Sequence, residues 1–332
     1  RIGNFNEALK FYRQAIDENM NYVDAHVNYS TMLLTAGKLK EGLEEYEWRK
    51  ESKSFSDYIN YRSLGLTSKV WNGEDLNNKK ILVIAEQGIG DLIQFSRYLF
   101  LLKTKYKTEI ILKIKNNNFS HFFNPSDFEI ISDSQTIPKH DYHIFMVSLA
   151  KIFFKTNEIF CKSVNFFQSD KKIKSKWGRK ISDIKGTKIG IHWSTSSLMP
   201  EKNLPLKHFI NLSKDIDANF FVLQKDLNLD EINTISKIKN IFYFPDMDES
   251  QKAFVDSIEI IRNLDLIITS DTAVAHLSAT LEKKTWIALP FVADWRWFTN
   301  KKDTQWYSNA TLYRQKKIGD WEEIFQVIRK DL

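Results

Sequence analysis

Glu86-Gln87-Gly88-Ile89-Gly90-Asp91 is the stretch on which the reading of this chain turns. Before it runs the apolar segment Ile81-Leu82-Val83-Ile84-Ala85, and after it the helical pattern Leu92-Ile93-Gln94-Phe95-Ser96-Arg97-Tyr98-Leu99. That order reads as buried strand, glycine turn, helix. Two glycines allow a sharp turn and a close approach of backbone to ligand, and a new helix offers unpaired N–H groups to negative charge. Asp91, at the helix start, is expected either to cap the helix or to act as a positioned base. A strand–Gly-x-Gly–helix is common to many nucleotide-binding folds and is weak alone. A second strand-to-helix turn, Ile267-Ile268-Thr269-Ser270-Asp271-Thr272-Ala273-Val274-Ala275-His276, strengthens it.

Around these turns the pattern alternates between strand and helix. Residues 81–85, 110–114, 128–131 and 142–145 read as strands of a first half, and 188–193, 220–223, 241–243, 266–268 and 285–288 as strands of a second. Amphipathic stretches 206–214, 228–238, 250–262 and 272–281 lie between the later strands. Such alternation implies parallel sheets flanked by helices, which bind ligands beyond the carboxyl ends of their strands. Two such halves facing a cleft let one turn from each address the same ligand. The densest basic run, Lys171 to Lys188, is expected to be a solvated linker or, failing that, a surface for phosphate or an acidic partner.

The first residues follow a different rule. Gly3-Asn4-Phe5 and Gly37-Lys38-Leu39 are 34 residues apart, as are Ala8 and Gly42, Leu9 and Leu43, Tyr12 and Tyr46. A 34-residue period with small residues at a tight helix crossing resembles the tetratricopeptide repeat. About one and a half units are visible, and such repeats need neighbours to bury their faces. The expectation is either that more repeats precede Arg1 or that this piece packs on the following domain. It serves as a platform for a protein or peptide partner, or as a helical cap. The expected division is 1–65 repeat helices, 66–180 first Rossmann-like domain and 181–332 second.

A chain of 332 residues with 42% hydrophobic and 14% aromatic content has the makings of packed cores. No apolar run approaches the roughly 20 residues needed to span a bilayer. Cys161 is the single cysteine, which excludes an intrachain disulfide and suits a reducing cytoplasm. The net charge of +6 is spread along the chain without an aromatic-interleaved or zinc-finger pattern, so no nucleic-acid partner is expected. The Gly88-x-Gly90 turn lacks the third glycine of a dinucleotide fingerprint, which argues against an NAD enzyme.

Several motifs recur in an order that is similar to one family. They are Trp71-x-Gly73, Glu86-Gln87-Gly88-x-Gly90-Asp91-x-x-Gln94-Phe95-x-Arg97-Tyr98, Ile191-His192-Trp193, Lys202-x-Leu204-Pro205-Leu206, Leu223-Gln224-Lys225, Ser270 through Leu277, and Asp294-Trp295-Arg296-Trp297. Together they resemble bacterial tetratricopeptide-repeat proteins with a C-terminal domain like the heptosyltransferases (glycosyltransferase family 9) of the GT-B fold. The resemblance covers residues 2–325. It implies two Rossmann-like domains, a nucleotide-sugar donor held mainly by the second, and inversion at the anomeric carbon with no metal or other cofactor. This chain departs from the family after Trp193, reading Ser194-Thr195-Ser196-Ser197 and then Glu201-Lys202-Asn203.

Glycosyl transfer needs a base for the acceptor hydroxyl and a neutraliser for the leaving diphosphate. Asp91 matches the family's base, with Gly88 and Gly90 opening space beside it; Glu86 is expected to hydrogen-bond the glycine turn, or else to stand as the reserve base. The segment Ser270-Asp271-Thr272-Ala273 matches the donor-diphosphate segment, where hydroxyls and backbone N–H groups at a helix start hold phosphate. Lys202 matches a cationic position that either offsets charge developing on the phosphates or binds an acidic acceptor, or is a solvated surface lysine. His276, four residues after Thr272, either reaches the phosphates, fixes Asp271, or is a satisfied half-buried histidine. His192 ends a strand and is a weaker donor or acceptor contact, and Gln224 with Lys225 would meet ribose or base. Trp295 would stack on sugar or base, or pack in the core, while Arg296 reaches a phosphate. Asp246-Met247-Asp248 has metal-pair spacing, but no metal is expected there.

The leading expectation is an inverting, metal-independent glycosyltransferase moving a sugar to a hydroxyl on a protein or other large acceptor. The competing one is a non-catalytic scaffold that senses a nucleotide sugar. Retention of Asp91, Lys202 and Ser270–Thr272 together favours the enzyme.

Overall fold

Short apolar runs that pair in parallel build the two sheets of this protein. The computed structural model describes residues 5–54, 61, 64–195, 199–299 and 301–332. Contacts divide the chain into two units, the first made of Arg1–Val164 and Asp294–Lys301, the second of Asn165–Ala293 and Lys302–Leu332.

The first unit opens with helices α1 (Phe5–Glu18), α2 (Val23–Thr35) and α3 (Leu39–Glu45), followed by a 3-10 turn at Tyr46–Glu51. Helix α2 packs on both α1 and α3, burying Ala25, Leu33, Leu34 and Leu43. At that crossing a Cβ on Gly42 would stand 2.8 Å from the Leu34 side chain and 3.0 Å from its backbone N, so the position requires glycine. Gly3 and Asn4, which belong to the 34-residue spacing, lie outside the described residues.

Five strands then form a parallel sheet: β1 (Lys69–Val70), β2 (Lys80–Ile84), β3 (Glu109–Ile114), β4 (Glu129–Ser132) and β5 (Tyr142–Phe145), in the order β1-β5-β2-β3-β4. Helices α4 (Ile89–Phe95), α5 (Arg97–Lys105) and α6 (Leu149–Lys155) accompany it. The pattern 92–99 reads as one helix, yet it is split at Ser96. The Ser96 hydroxyl donates back to the Leu92 carbonyl at 2.5 Å, the local bond by which serine competes with helix continuation.

The second unit contains α7 (Lys171–Ser182), β6 (Lys188–His192), α8 (Leu206–Asp215), β7 (Asn219–Val222), α9 (Leu229–Ile235), β8 (Ile241–Phe242), α10 (Val255–Arg262), β9 (Leu266–Ser270), α11 (Ala273–Thr280), β10 (Lys284–Leu289), β11 (Asp303–Thr304), β12 (Tyr307–Arg314) and α12 (Trp321–Asp331). Its seven strands run β11-β12-β10-β9-β6-β7-β8, and only β11 with β12 is antiparallel. The core includes Ile189, Ile191, Phe220, Val222, Ile268, Trp286 and Ile328. Among the described residues no helix is long and apolar enough to cross a membrane.

The basic run is not a linker. It forms α7, whose Ile173, Trp177 and Ile181 recur every fourth residue and turn inward, with Trp177 and Ile181 buried. Asp170 caps the helix through the N–H groups of Lys172 and Ile173. Trp177 Nε1 donates to Asp256 on α10, and Lys176 pairs with Asp246 at 2.9 Å. The unit boundary accordingly falls before Asn165 rather than after residue 180. The carboxylates of Asp246-Met247-Asp248 are occupied within the protein. Asp246 faces Lys176 and Lys180, and Asp248 accepts from the N–H groups of Asp256 and Ser257 at the start of α10.

Two glycines give opposite tests of this packing. A Cβ on Gly190 in β6 would stand 2.7–2.9 Å from Ile267, Leu264 and Leu223, whereas one on Gly178 in α7 meets nothing within 4 Å. Gly190→Ala is expected to lower unfolding free energy by about 1–3 kcal/mol through overpacking. Gly178→Ala is expected to raise it by up to about 1 kcal/mol through helix propensity. Urea denaturation of both variants checks the signs.

Candidate functional site

A parallel sheet must return its chain by crossovers, and where strand order reverses two crossovers part, leaving a crevice at the carboxyl ends. In the first unit that reversal lies between β2 and β5, and in the second between β6 and β9. The two turns singled out in the sequence follow β2 and β9.

In the first unit Gly88 is the N-cap of α4, so the helix begins at Ile89 and Asp91 is its third residue. The left-handed position of the turn is Gln87, at φ 61°, and neither glycine supplies it. Gln87 is held there from both ends: its amide Nε2 donates to the Tyr46 hydroxyl at 3.1 Å, and its carbonyl accepts from Lys115 Nζ at 2.5 Å. Gly88 contributes room, since a Cβ would lie 3.4 Å from Asp91 Oδ2. The Gly88 N–H donates to that oxygen at 2.9 Å, so Asp91 does cap the turn. Gly90 lies inside α4.

The other oxygen of Asp91, Oδ1, accepts from Arg296 Nη2. Arg296 comes from the segment Asp294–Lys301, which belongs to the first unit. Its Nη1 donates to Asp294 at 2.8 Å, and its guanidinium lies 4.6 Å from the centroid of Trp295 and 5.6 Å from that of Phe95. Burial works against the charge of Arg296, but Asp294 and Asp91 override it and hold the guanidinium protonated. Trp295 is 4% exposed and sits 6.0 Å from the Tyr46 ring, so it packs as core.

Glu86 is not a reserve base. It is 2% exposed, and Arg49 grips it with two bonds, Nε to Oε2 at 3.0 Å and Nη2 to Oε1 at 2.8 Å. The Val147 N–H, just past β5, donates to Oε1 at 3.0 Å. A carboxylate so enclosed fixes the two strand ends to each other and has no free face for a hydroxyl.

In the second unit His192 ends β6 and Ser270 ends β9, and across the reversal His192 Nδ1 lies 3.3 Å from Thr272 Oγ1. Thr272 is the N-cap of α11; it and Ala273 are half-buried. Lys202 Nζ pairs with Asp271 Oδ2 at 2.6 Å. Arg314, closing β12, also feels Asp271: burial lowers its pKa and that carboxylate raises it. Two cations and one carboxylate thus meet at this corner. Gln224 lies at the same end, its Oε1 accepting from the Ser194 N–H at 3.0 Å, while Lys225 Nζ donates to the Asp248 carbonyl.

Two expected contacts point elsewhere. His276 is buried with its Nδ1 at 3.0 Å from the Tyr307 hydroxyl, because the helical face it shares with Thr272 turns into the core beside β12. The Ser270 side chain is fully buried, which leaves Thr272 as the accessible hydroxyl of that segment. Ser196 and Ser197, in the segment that departs from the family, lie outside the described residues. Among the described residues no group of three or more His, Cys, Asp and Glu side chains is placed to hold a metal ion.

Arg49 and Arg314 carried no signal as site residues in the sequence. Arg314 ends an alternating run, Tyr307 to Tyr313, that is legible as a strand only in retrospect, and Arg49 reads as an ordinary charge at the end of a helical segment.

No family model matches the chain. Among solved structures it is similar to a glycosyl transferase family 9 protein from Veillonella parvula, at TM-score 0.57 and 13% identity, covering 78% of this chain and 92% of that one. The ADP-heptose lps heptosyltransferase II of E. coli gives TM-score 0.49 and 13% identity over 76% of this chain and 98% of that one. Among curated proteins, FlbA of Caulobacter vibrioides is 37% identical over 70 residues, which is 21% of this chain and 11% of that protein's length. What is shared with the Veillonella structure is the fold, a mixed α/β arrangement with two sheets.

Burial depresses the pKa of His192 to about 4, from an ordinary 6.5. Between those values the unfolded chain binds the additional proton. The stability contributed by neutral His192 is therefore complete above pH 6.5 and is lost as pH falls toward 4, by up to about 3 kcal/mol. Comparison of urea unfolding from pH 7 to pH 4 should show a shallower decline for His192→Gln than for the unaltered chain. Parallel curves would mean that His192 is not held neutral.

Proposed function

We propose that this chain is an inverting, metal-independent glycosyltransferase that moves a sugar from a nucleotide-sugar donor to a hydroxyl on a protein or other large acceptor. The observation that carries this reading is the placement of the singled-out polar groups at the strand-order reversal of each sheet, the position at which open α/β sheets receive ligands. The family 9 likeness of the fold agrees with it.

In this reading the second unit holds the donor. Lys202 and Arg314 supply positive charge, and Thr272 with the first N–H groups of α11 supplies hydrogen bonds to a diphosphate. These groups take the part a divalent ion plays in other transferases. The acceptor oxygen attacks the anomeric carbon from the face opposite the departing diphosphate. The new C–O bond forms as the C–O bond to phosphate breaks, and the electron pair leaves with the nucleoside diphosphate. The hydroxyl proton passes to the Asp91 carboxylate. Each carboxylate oxygen retains a second lone-pair direction, so the bonds from Arg296 and Gly88 orient Asp91 without exhausting it. The helices α1–α3, read as tetratricopeptide repeats, would present the acceptor.

A second reading, a scaffold that binds a nucleotide sugar without transferring it, draws on one observation. Both oxygens of Asp91 already accept a hydrogen bond.

The two readings separate on one variant. Asp91→Asn should abolish transfer while donor affinity stays within several-fold, and EDTA should leave the activity of the unaltered protein intact. A thermal-shift panel of ADP-, GDP-, UDP- and CMP-sugars identifies the donor, since a ligand at 100 times its dissociation constant stabilises by about 2.7 kcal/mol. Transfer that survives in Asp91→Asn removes that carboxylate from the mechanism. Binding without transfer in the unaltered protein supports the scaffold.

A further inference from the structure

We infer that Arg49, in the turn that ends the N-terminal helices, is a positioning residue for Asp91, so that the helical segment is part of the catalytic wall of the first unit. The inference rests on the reading of Asp91 as the base.

Every donor of the Arg49 guanidinium is directed. Nε and Nη2 fork onto Glu86, Nη2 also reaches the Ser148 hydroxyl at 2.8 Å, and Nη1 donates to the Tyr46 carbonyl at 3.0 Å and to Glu47 Oε1 at 2.9 Å. Arg49 and Glu86 side chains are both fully buried. Ser148 in turn donates to Glu47 Oε1 at 2.8 Å, and Lys50 and Lys151 face the other Glu47 oxygen. Burial disfavours the Glu47 carboxylate, but Arg49 and Lys50 outweigh it and keep its pKa far below the usual range.

This network meets the base turn at two consecutive residues. Glu86 is gripped by Arg49, and Gln87, whose left-handed backbone sets the direction of the turn, is bonded to Tyr46 three residues before Arg49. The guanidinium lies 4.9 Å from the centroid of the Tyr46 ring, so one turn of chain fixes both contacts. From Gln87 the backbone leads directly to Gly88, whose N–H holds Asp91, and Tyr46 packs against Trp295, the neighbour of Arg296. The position of the Asp91 carboxylate is thus set from both of its oxygens by parts that Tyr46 and Arg49 support. A lysine at position 49 keeps the charge but cannot fork across two oxygens and a hydroxyl at once.

The test compares Arg49→Lys with the double variant Arg49→Met/Glu86→Gln, which removes the buried charge pair together and guards against simple unfolding of an uncompensated carboxylate. Two readouts are taken on full-length protein that melts cooperatively. In steady-state transfer, both variants should lose at least tenfold in kcat with the donor KM within about twofold. In amide exchange, the Gly88 and Val147 N–H groups should exchange at least tenfold faster while those of β9 are unchanged. Native kcat together with native exchange in either folded variant overturns the inference. If the unaltered protein transfers no sugar, the enzymatic reading fails, and the exchange measurement alone still decides whether Arg49 holds the turn.

Discussion

Parallel pairing is the constraint from which the rest of this structure follows. A parallel strand cannot be joined to its neighbour by a tight turn, so each connection climbs over a face of the sheet as a helix or long loop. Once successive connections have filled one direction, the chain must return to the middle and continue the other way. In the first sheet it does so from β4 to β5 beside β2, and in the second from β8 to β9 beside β6. At those two places, adjacent strand ends carry connections that diverge. The groups of interest occupy the ends that diverge: Glu86 to Asp91 and the Val147 N–H in one sheet, His192 and Ser270 to Thr272 in the other.

The electrostatics of the two places differ in kind. Around Asp91 the hub is a cation, with the carboxylates of Asp91 and Asp294 on one guanidinium and aromatic rings beside it. Such an arrangement fixes the direction in which the Asp91 carboxylate points. Around Thr272 the hub is a carboxylate, with Lys202 and Arg314 both facing Asp271. The proposed division of labour, orientation in the first unit and anion neutralisation in the second, draws on those two arrangements.

Much of this architecture was legible in the residues because strands and their following turns are local. The runs at 81–85, 110–114 and 142–145 and the helical stretch 206–214 correspond closely to β2, β3, β5 and α8. Elements whose formation depends on distant partners were not. The basic run hid α7, since its inward face consists of three apolar residues among lysines, and the alternation in Tyr307–Arg314 was passed over because β12 gains its identity from pairing with β10. The candidate site shows the same split. Asp91, Thr272 and Lys202 stand in recognisable turns, whereas the roles of Arg49 and Tyr46 come from contacts some forty positions away in the chain. Periodicity placed His276 on the face of Thr272, but it cannot say which side of that face is core.

The eight residues from Asp294 to Lys301 leave the second unit, join the first, and return. Modular inheritance is therefore not a matter of a single breakpoint. A gene fragment ending at Val164 would encode the first sheet without Trp295, Arg296 and Trp297, leaving the carboxylate of Asp91 without its guanidinium and the rings of Tyr46 and Phe95 without their cover. Recombination that exchanges the second unit must carry this loop in a form suited to the turn at Asp91 in the recipient. Grafting either unit onto another scaffold therefore requires the loop and the residues that receive it to be transferred as a pair.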